Sequence, residues 1–140
     1  MVLMDVANVG VVPGSSGIVV VLREKDGKRL LVLEIGPMEA NAIAMAIEGV
    51  EPPRPLTHDL LSNVIEELHH KVSSVAVVNL KNGTFFGQIT LKGPDGTTVI
   101  DSRPSDGIAL ALRQGAPIYA ADRVLSEAGI SVDDEEHVVH

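Results

Sequence analysis

Ile18-Val19-Val20-Val21-Leu22-Arg23-Glu24-Lys25-Asp26-Gly27-Lys28-Arg29-Leu30-Leu31-Val32-Leu33-Glu34-Ile35 is the stretch that decides the fold. Two aliphatic, β-branched runs flank Asp26-Gly27, a dipeptide suited to a two-residue type I′ turn with positive φ at both positions. The reading is a hairpin of strands Ile18–Arg23 and Lys28–Ile35. Upstream, residues Val2–Val12 read as another strand interrupted by Gly10, and Gly14-Ser15-Ser16-Gly17 as the turn between them. The amino-terminal half therefore opens with a three-stranded antiparallel meander.

Gly36-Pro37 ends the meander, and Pro37 suits the first turn of a helix. That helix is expected over Met38–Glu48, with Ala40, Ile43, Ala44 and Ile47 as a core-facing stripe and Gly49 as its C-terminal cap. Glu51-Pro52-Pro53-Arg54-Pro55 cannot be helical and reads as a stiff extended connection. A second helix is expected over His58–His70 with Thr57 as N-cap. Leu60, Leu61, Val64, Ile65 and Leu68 form its apolar stripe, with His58, Asp59, Ser62, Asn63, Glu66 and His70 towards the other side.

A second meander follows: Val72–Leu80, the turn Asn82-Gly83, Phe85–Leu91, the turn Gly93–Gly96, and Thr97–Asp101. A helix over Pro104–Gln114 stops at Gly115. A short strand near Pro117–Ala121 and a short helix from Asp122 to Ala128 complete the pattern. The fold class is α+β: two antiparallel three-stranded meanders, each followed by helix, in mixed sheet packed with about four helices. Ala42–Ile47 resembles Gly107–Leu112, and each follows a meander, a hint of internal duplication.

With 140 residues the chain suits one core. A single domain is expected over residues 1–130, followed by an acidic tail at 131–140 that frays into solvent. Aromatic residues are Phe85, Phe86 and Tyr119, which argues against platforms that stack single-stranded bases. The net charge of −8 repels polyanions at long range, so nucleic-acid binding would need a local basic patch or a bridging metal ion. Absence of cysteine excludes thiol catalysis, disulfides and thiolate metal sites. The amino terminus lacks the pattern of a signal peptide and no run is long enough to span a bilayer, so a cytoplasmic location is expected.

Two segments carry the chemistry. Arg54-Pro55-Leu56-Thr57-His58-Asp59 and Arg103-Pro104-Ser105-Asp106 both run from an Arg-Pro step through a hydroxyl to a carboxylate in the first turn of a helix. Asp59 and Asp106 each have a structural reading, because a carboxylate there complements the helix dipole. His58 has none: an imidazole at a helix N-terminus is pushed towards its neutral form, which suits a base or a metal ligand. If the two openings converge, their carboxylates would hold a divalent cation and their arginines a phosphate. Glu39, in the first turn of the first helix, is a dipole partner or a third acidic ligand. His69 and His70 read as C-terminal caps. No phosphate-cradling glycine loop or nucleophile elbow is present.

The chain resembles the bifunctional nuclease family at these segments. Ile35-Gly36-x-x-Glu39-Ala40-x-Ala42-Ile43 is similar to its first motif and Pro53–Leu60 to its second. Ser102–Asp106, with Ala109, Gly115 and Pro117-Ile118-Tyr119, is similar to its third. Glu34 stands where the family pattern has a large apolar or aromatic residue. The resemblance implies a mixed α+β domain, often oligomeric, and metal-dependent hydrolysis of RNA and/or DNA. On that reading Asp59, Asp106 and Glu39 would hold Mg or Mn, and His58 would activate water or complete the metal shell. Arg54 and Arg103, with Thr57 and Ser105, would bind the phosphate. The alternative is a non-catalytic homo-oligomeric module that binds a small anion or a protein partner through the same residues.

Overall fold

A computed structural model describes residues 1–11 and 17–132. Residues Gly14–Ser16 of the expected turn and most of the acidic tail lie outside the described residues. The elements are β1 (Val2–Val11), β2 (Ile18–Glu24), β3 (Arg29–Ile35), α1 (Pro37–Glu48) and α2 (Thr57–Glu67). They continue with β4 (Lys71–Lys81), β5 (Thr84–Gly93), β6 (Gly96–Ser102), α3 (Pro104–Gln114), β7 (Ile118–Ala120), α4 (Asp122–Ala128) and β8 (Ile130–Ser131).

The strands form a single mixed sheet in the order β6-β5-β4-β7-β1-β2-β3-β8. The fold is α+β, and each meander is antiparallel, β1-β2-β3 on one side and β4-β5-β6 on the other. Short β7 joins them, antiparallel to β1 and parallel to β4. Its role follows from sequence order: a strand arriving after α3 fits the gap between two meanders that were already complete. β8, absent from the sequence reading, pairs Ile130 with Leu30 and Ser131 with Arg29. Two residues give too short a period to be seen.

α3 is the centre of the molecule. Ile108, Ala109, Leu110 and Ala111 are all fully buried, as expected for a helix covered on every side. It packs on β4 and β5 below and on α1 and α2 above. Gly107 permits this: a Cβ there would come within 2.7 Å of Val75 Cγ1. Met4, Val20, Leu22, Leu31, Leu33, Val75, Val77 and Ile118 complete the core from the sheet. Asn82 (φ 52°) and Gly83 (φ 78°) make the expected positive-φ turn between β4 and β5. Gly49 and Gly115 end α1 and α3 in the left-handed region, as their positions imply.

Four local expectations are corrected. Asp26-Gly27 does not form a type I′ turn; neither residue has positive φ, and the loop spans Lys25–Lys28. Glu24 closes this wider loop by accepting from the Arg29 backbone N–H (3.1 Å) and side-chain Nε (2.5 Å). Thr57 is not an N-cap. Leu56 occupies that position, and its N–H donates to Asp59 Oδ2 at 3.0 Å. α1 buries Ala40, Ala42 and Ile43, whereas Ile47 is half exposed.

The largest correction concerns α2. Its apolar stripe faces outwards: Leu60, Leu61, Val64 and Leu68 are exposed, and Ser62 and Ile65 are buried. The helix also stops at Glu67, with His69 in the left-handed region. The physical cause is the polar anchoring of α2 to α3. His58 meets Asp106, Asp59 meets Arg113, and Ser62 Oγ accepts from Gln114 Nε2 at 3.1 Å. Arg113 and Gln114 end a buried helix and need partners, and α2 turns its polar face to supply them.

Candidate functional site

The amino-terminal ends of α1, α2 and α3 gather at one end of a groove. Each helix starts from a backbone cap without a side-chain cap: Gly36, Leu56 and Arg103. The first-turn carboxylates Glu39 and Asp106 cap no backbone N–H and are engaged by other side chains, whereas Asp59 accepts the Leu56 N–H. The Glu39 carboxylate folds back into the space a Cβ on Gly36 would fill, so a larger residue there would push the carboxylate aside. Gly87 plays a similar part for α3. A Cβ there would meet Ser102 O at 3.0 Å and Pro104 at 3.1 Å, so the chain entering α3 crosses β5 at close range.

Asp106 is the hub. His58 Nε2 lies 2.9 Å from its Oδ1, and Arg103 donates Nε to Oδ2 at 2.8 Å and Nη2 to Oδ1 at 3.1 Å. Arg103 Nη2 also reaches Glu39 Oε2 at 3.5 Å. Three elements thus contribute Glu39, His58, Arg103 and Asp106 to one network. Burial acts to raise the Asp106 pKa, but the hydrogen bonds and charges of Arg103 and His58 outweigh it and hold the carboxyl below its ordinary value. Asp106 in turn raises the Arg103 pKa. The Arg103 side chain is 64% exposed and His58 only 12%, so the cation faces solvent while the imidazole is sheltered.

Asp59 goes elsewhere. It accepts from Arg113 Nε at 2.7 Å, and Arg113 Nη1 donates to Ala42 O (3.1 Å) and Ala109 O (2.8 Å). The Arg113 hydrogen bond, opposed by burial and aided by the Leu56 N–H, lowers the Asp59 pKa. Asp59 lines a separate groove with Met45, Ser62 and Glu66. Arg113 thereby ties α1, α2 and α3 together. Nothing in the sequence marks this role, because a cation in the last turn of a helix looks like a dipole partner.

The remaining candidates are dispersed. Thr57 is exposed at the rim of the main groove, and Arg54 is exposed on the connection from α1 with no hydrogen bond or ion pair among the described residues. Ser105 is buried and lines a second groove with Gly36 and Phe85. The expected Mg or Mn ligands therefore do not fit. Asp59 is separated from Glu39 and Asp106, both carboxylates in the network are engaged by Arg103, and no group of three or more acidic or histidine ligands is arranged for a metal among the described residues.

The main groove, about 1090 Å³, runs from this network over the inner face of β5 and β6. Its walls include Met38, Leu60, Leu61, Ile89, Leu91 and Ile100, and none of its lining residues is Phe, Tyr or Trp. Among the described residues no helix is long and apolar enough to cross a membrane.

The model of the bifunctional nuclease domain matches residues 20–133. The chain is 46% identical over 117 residues to an uncharacterized protein of Mycobacterium tuberculosis, covering 84% of this chain and 70% of the relative. It is 27% identical over 118 residues to a protein of Oryza sativa subsp. japonica named Bifunctional nuclease 1. That match covers 81% of this chain and 35% of the rice protein. With three helix openings meeting at the motif residues and the match running through all of them, the chain belongs to the bifunctional nuclease domain family.

Proposed function

We propose that this domain hydrolyses phosphodiester bonds of RNA and/or DNA at the Glu39–His58–Arg103–Asp106 network. The observation that carries the reading is the exposed Arg103 guanidinium held on Asp106, the same carboxylate that meets the sheltered His58 ring. An exposed, oriented guanidinium attracts phosphate, and Arg103 Nη1 takes no part in the bonds to Asp106 and Glu39. Asp106 holds the imidazole through Nε2, leaving Nδ1 to take a proton from the attacking water. Water oxygen bonds to phosphorus, the ester bond to the leaving oxygen breaks, and the imidazolium returns the proton to that oxygen. Arg103 offsets the charge that builds on the phosphoryl oxygens. Membership of a family that contains named nucleases supports this reading.

A Mg or Mn ion, expected from the sequence, would have to compete with Arg103 for Glu39 and Asp106. The test is cleavage of single-stranded RNA and DNA with Mn, with Mg and with EDTA, beside identically purified His58→Ala. Cleavage that survives EDTA and is lost in the variant is the expected result; equal cleavage by both proteins would remove the assignment.

The aliphatic groove favours a second reading, a non-catalytic module that binds a small anion or a protein partner. Its walls offer no Phe, Tyr or Trp face for a base. No cleavage by either protein, together with saturable phosphate binding weakened by Arg103→Ala, would favour this reading.

A further inference from the structure

Arg103 lines the main groove and also a second one, about 530 Å³, between the end of β3, the start of β5 and the first turn of α3. The walls of this second groove carry polar groups that the protein leaves unpaired. Ser105 is 6% exposed, yet its hydroxyl has no hydrogen-bond partner among the described residues. A sheltered hydroxyl at the wall of a cavity calls for a partner from within the cavity. α3 starts at Pro104, which has no N–H, and no side chain caps it. The N–H groups of Ser105 and Asp106 therefore also lack a protein partner among the described residues. The exposed Glu34 carboxylate forms no ion pair or hydrogen bond among them either. Phe85 adds a half-buried ring, the flat apolar face that the main groove lacks.

We infer that the second groove receives one nucleobase of the substrate, a guanine, while Arg103 holds the phosphate beside it. Naming the ligand as part of the substrate rests on the nuclease reading above. A second phosphate would suit this groove poorly, because Glu34 would repel it. An uncharged flat ring with donors and acceptors on its edge suits it well. Unstacked bases of single strands are held in this way, stacked on an aromatic side chain and hydrogen-bonded along the Watson–Crick edge. Guanine is the base that matches the free groups. Its N1–H and N2–H donate side by side, as the two oxygens of one carboxylate require, and its O6 accepts from a hydroxyl or a backbone N–H. Adenine and cytosine set a single amine beside an acceptor, and uracil sets one N–H between two carbonyls, so each leaves part of the Glu34 carboxylate unpaired. One ring serves one base, so the groove reads a single position of a strand and is no stacking platform. A base lodged there has left any duplex, and the strand must be single at that point. Glu34 acts in this scheme on specificity, not on the bond that breaks.

The test is calorimetric titration of the full chain with guanosine 5′-monophosphate, beside the adenosine, cytidine and uridine monophosphates, for the native protein and Glu34→Gln. The native protein should bind the guanosine nucleotide about tenfold or more tightly than the others, and Glu34→Gln should lose that advantage, because an amide offers one acceptor oxygen and turns a donor towards a donor. Equal binding of all four, binding of none, or a guanine preference kept in Glu34→Gln would each overturn the inference. Cleavage of a mixed-sequence RNA separates this outcome from that of the nuclease reading. Guanine-selective binding without cleavage would keep the site and remove the nuclease reading, whereas cleavage with all four nucleotides bound alike would remove the site and keep that reading. Should Glu34→Gln fail to fold, the ring proton resonances of Phe85 in the native protein decide. A shift with the guanosine nucleotide and none with the cytidine nucleotide supports the pocket, and equal or absent shifts contradict it.

Discussion

The openings of α2 and α3 are written in almost the same words and do different work. Each runs from Arg-Pro to an Asp in the first helical turn. Asp106 faces the groove, held by the exposed Arg103 and by His58 across a helix boundary. Asp59 turns away, accepts its own cap N–H from Leu56, and anchors Arg113 in the seam of three helices. The difference is set by what each carboxylate can reach. α3 is buried along its length, so its amino-terminal end opens on the groove and its carboxy-terminal end on the helix seam. α2 lies along α3 and meets both ends: His58 completes one cluster and Asp59 the other. A local motif names the ingredients, and the packing of the helix that carries it assigns the role.

The sharpest way to break that contrast is at Arg103 and His58. Arg103→Ala and His58→Ala are expected to lower cleavage by roughly 10²–10³-fold; the exposed Arg103 should leave thermal unfolding nearly unchanged, and His58, one of three polar anchors of α2, should cost about 1 kcal/mol. Steady-state cleavage beside circular dichroism melts checks both parts. A large loss of stability with normal cleavage of the folded fraction would move these residues to the structural side.

Arg113→Ala should do the reverse. It removes the partner of Asp59 and frees the carbonyls of Ala42 and Ala109, so a loss of about 2–4 kcal/mol in urea unfolding is expected. Cleavage per folded molecule should stay within about threefold of native, well under the tenfold that 1.4 kcal/mol of lost transition-state binding would produce.

The acid side of the stability curve sharpens the comparison further. Asp59 and Asp106 both have native pKa values below the ordinary carboxylate value of about 3.9. A depressed native value means the unfolded chain binds more protons in acid. The stability these groups contribute is fully present above about pH 4 and is lost as pH falls through their native values. Urea unfolding from pH 7 down to pH 3 should therefore show a decline below about pH 4, shallower in Asp59→Asn. An unchanged slope in that variant would show that Asp59 is not held as described.

The smallest expected effect is at Thr57. Because Leu56 is the cap and Thr57 is exposed, Thr57→Ala should change stability by less than about 0.5 kcal/mol, against about 1 kcal/mol for loss of a true hydroxyl cap. Melting curves separate the two.

These contrasts also define how far the sequence can be read. Short-range signals carried well: Asn82-Gly83 needs positive φ, Gly49 and Gly115 end helices, and Pro37 and Pro104 start them. The motif residues were visible as residue types, and Glu39, His58, Arg103 and Asp106 do come together. The direction of each side chain was not visible. The α2 stripe of Leu60, Leu61, Val64 and Leu68 has the period of a buried face, and period alone cannot say whether the cover is this chain or another. Arg113, 54 residues from Asp59, and Gln114, 52 from Ser62, leave no local trace of the contacts that turn α2 over. Asp26-Gly27 failed for a related reason, because Glu24 and Arg29 close the loop from outside the dipeptide.

The most direct test of this division of labour is to compare Asp106→Asn and Asp59→Asn on one RNA substrate, recording cleavage and the urea midpoint of each protein in the same buffer. The account predicts that Asp106→Asn stays folded and loses cleavage, while Asp59→Asn unfolds at lower urea and cleaves normally under conditions where it is folded. Loss of cleavage in a stable Asp59→Asn protein, with Asp106→Asn still active, would contradict it and return the chemistry to the opening of α2.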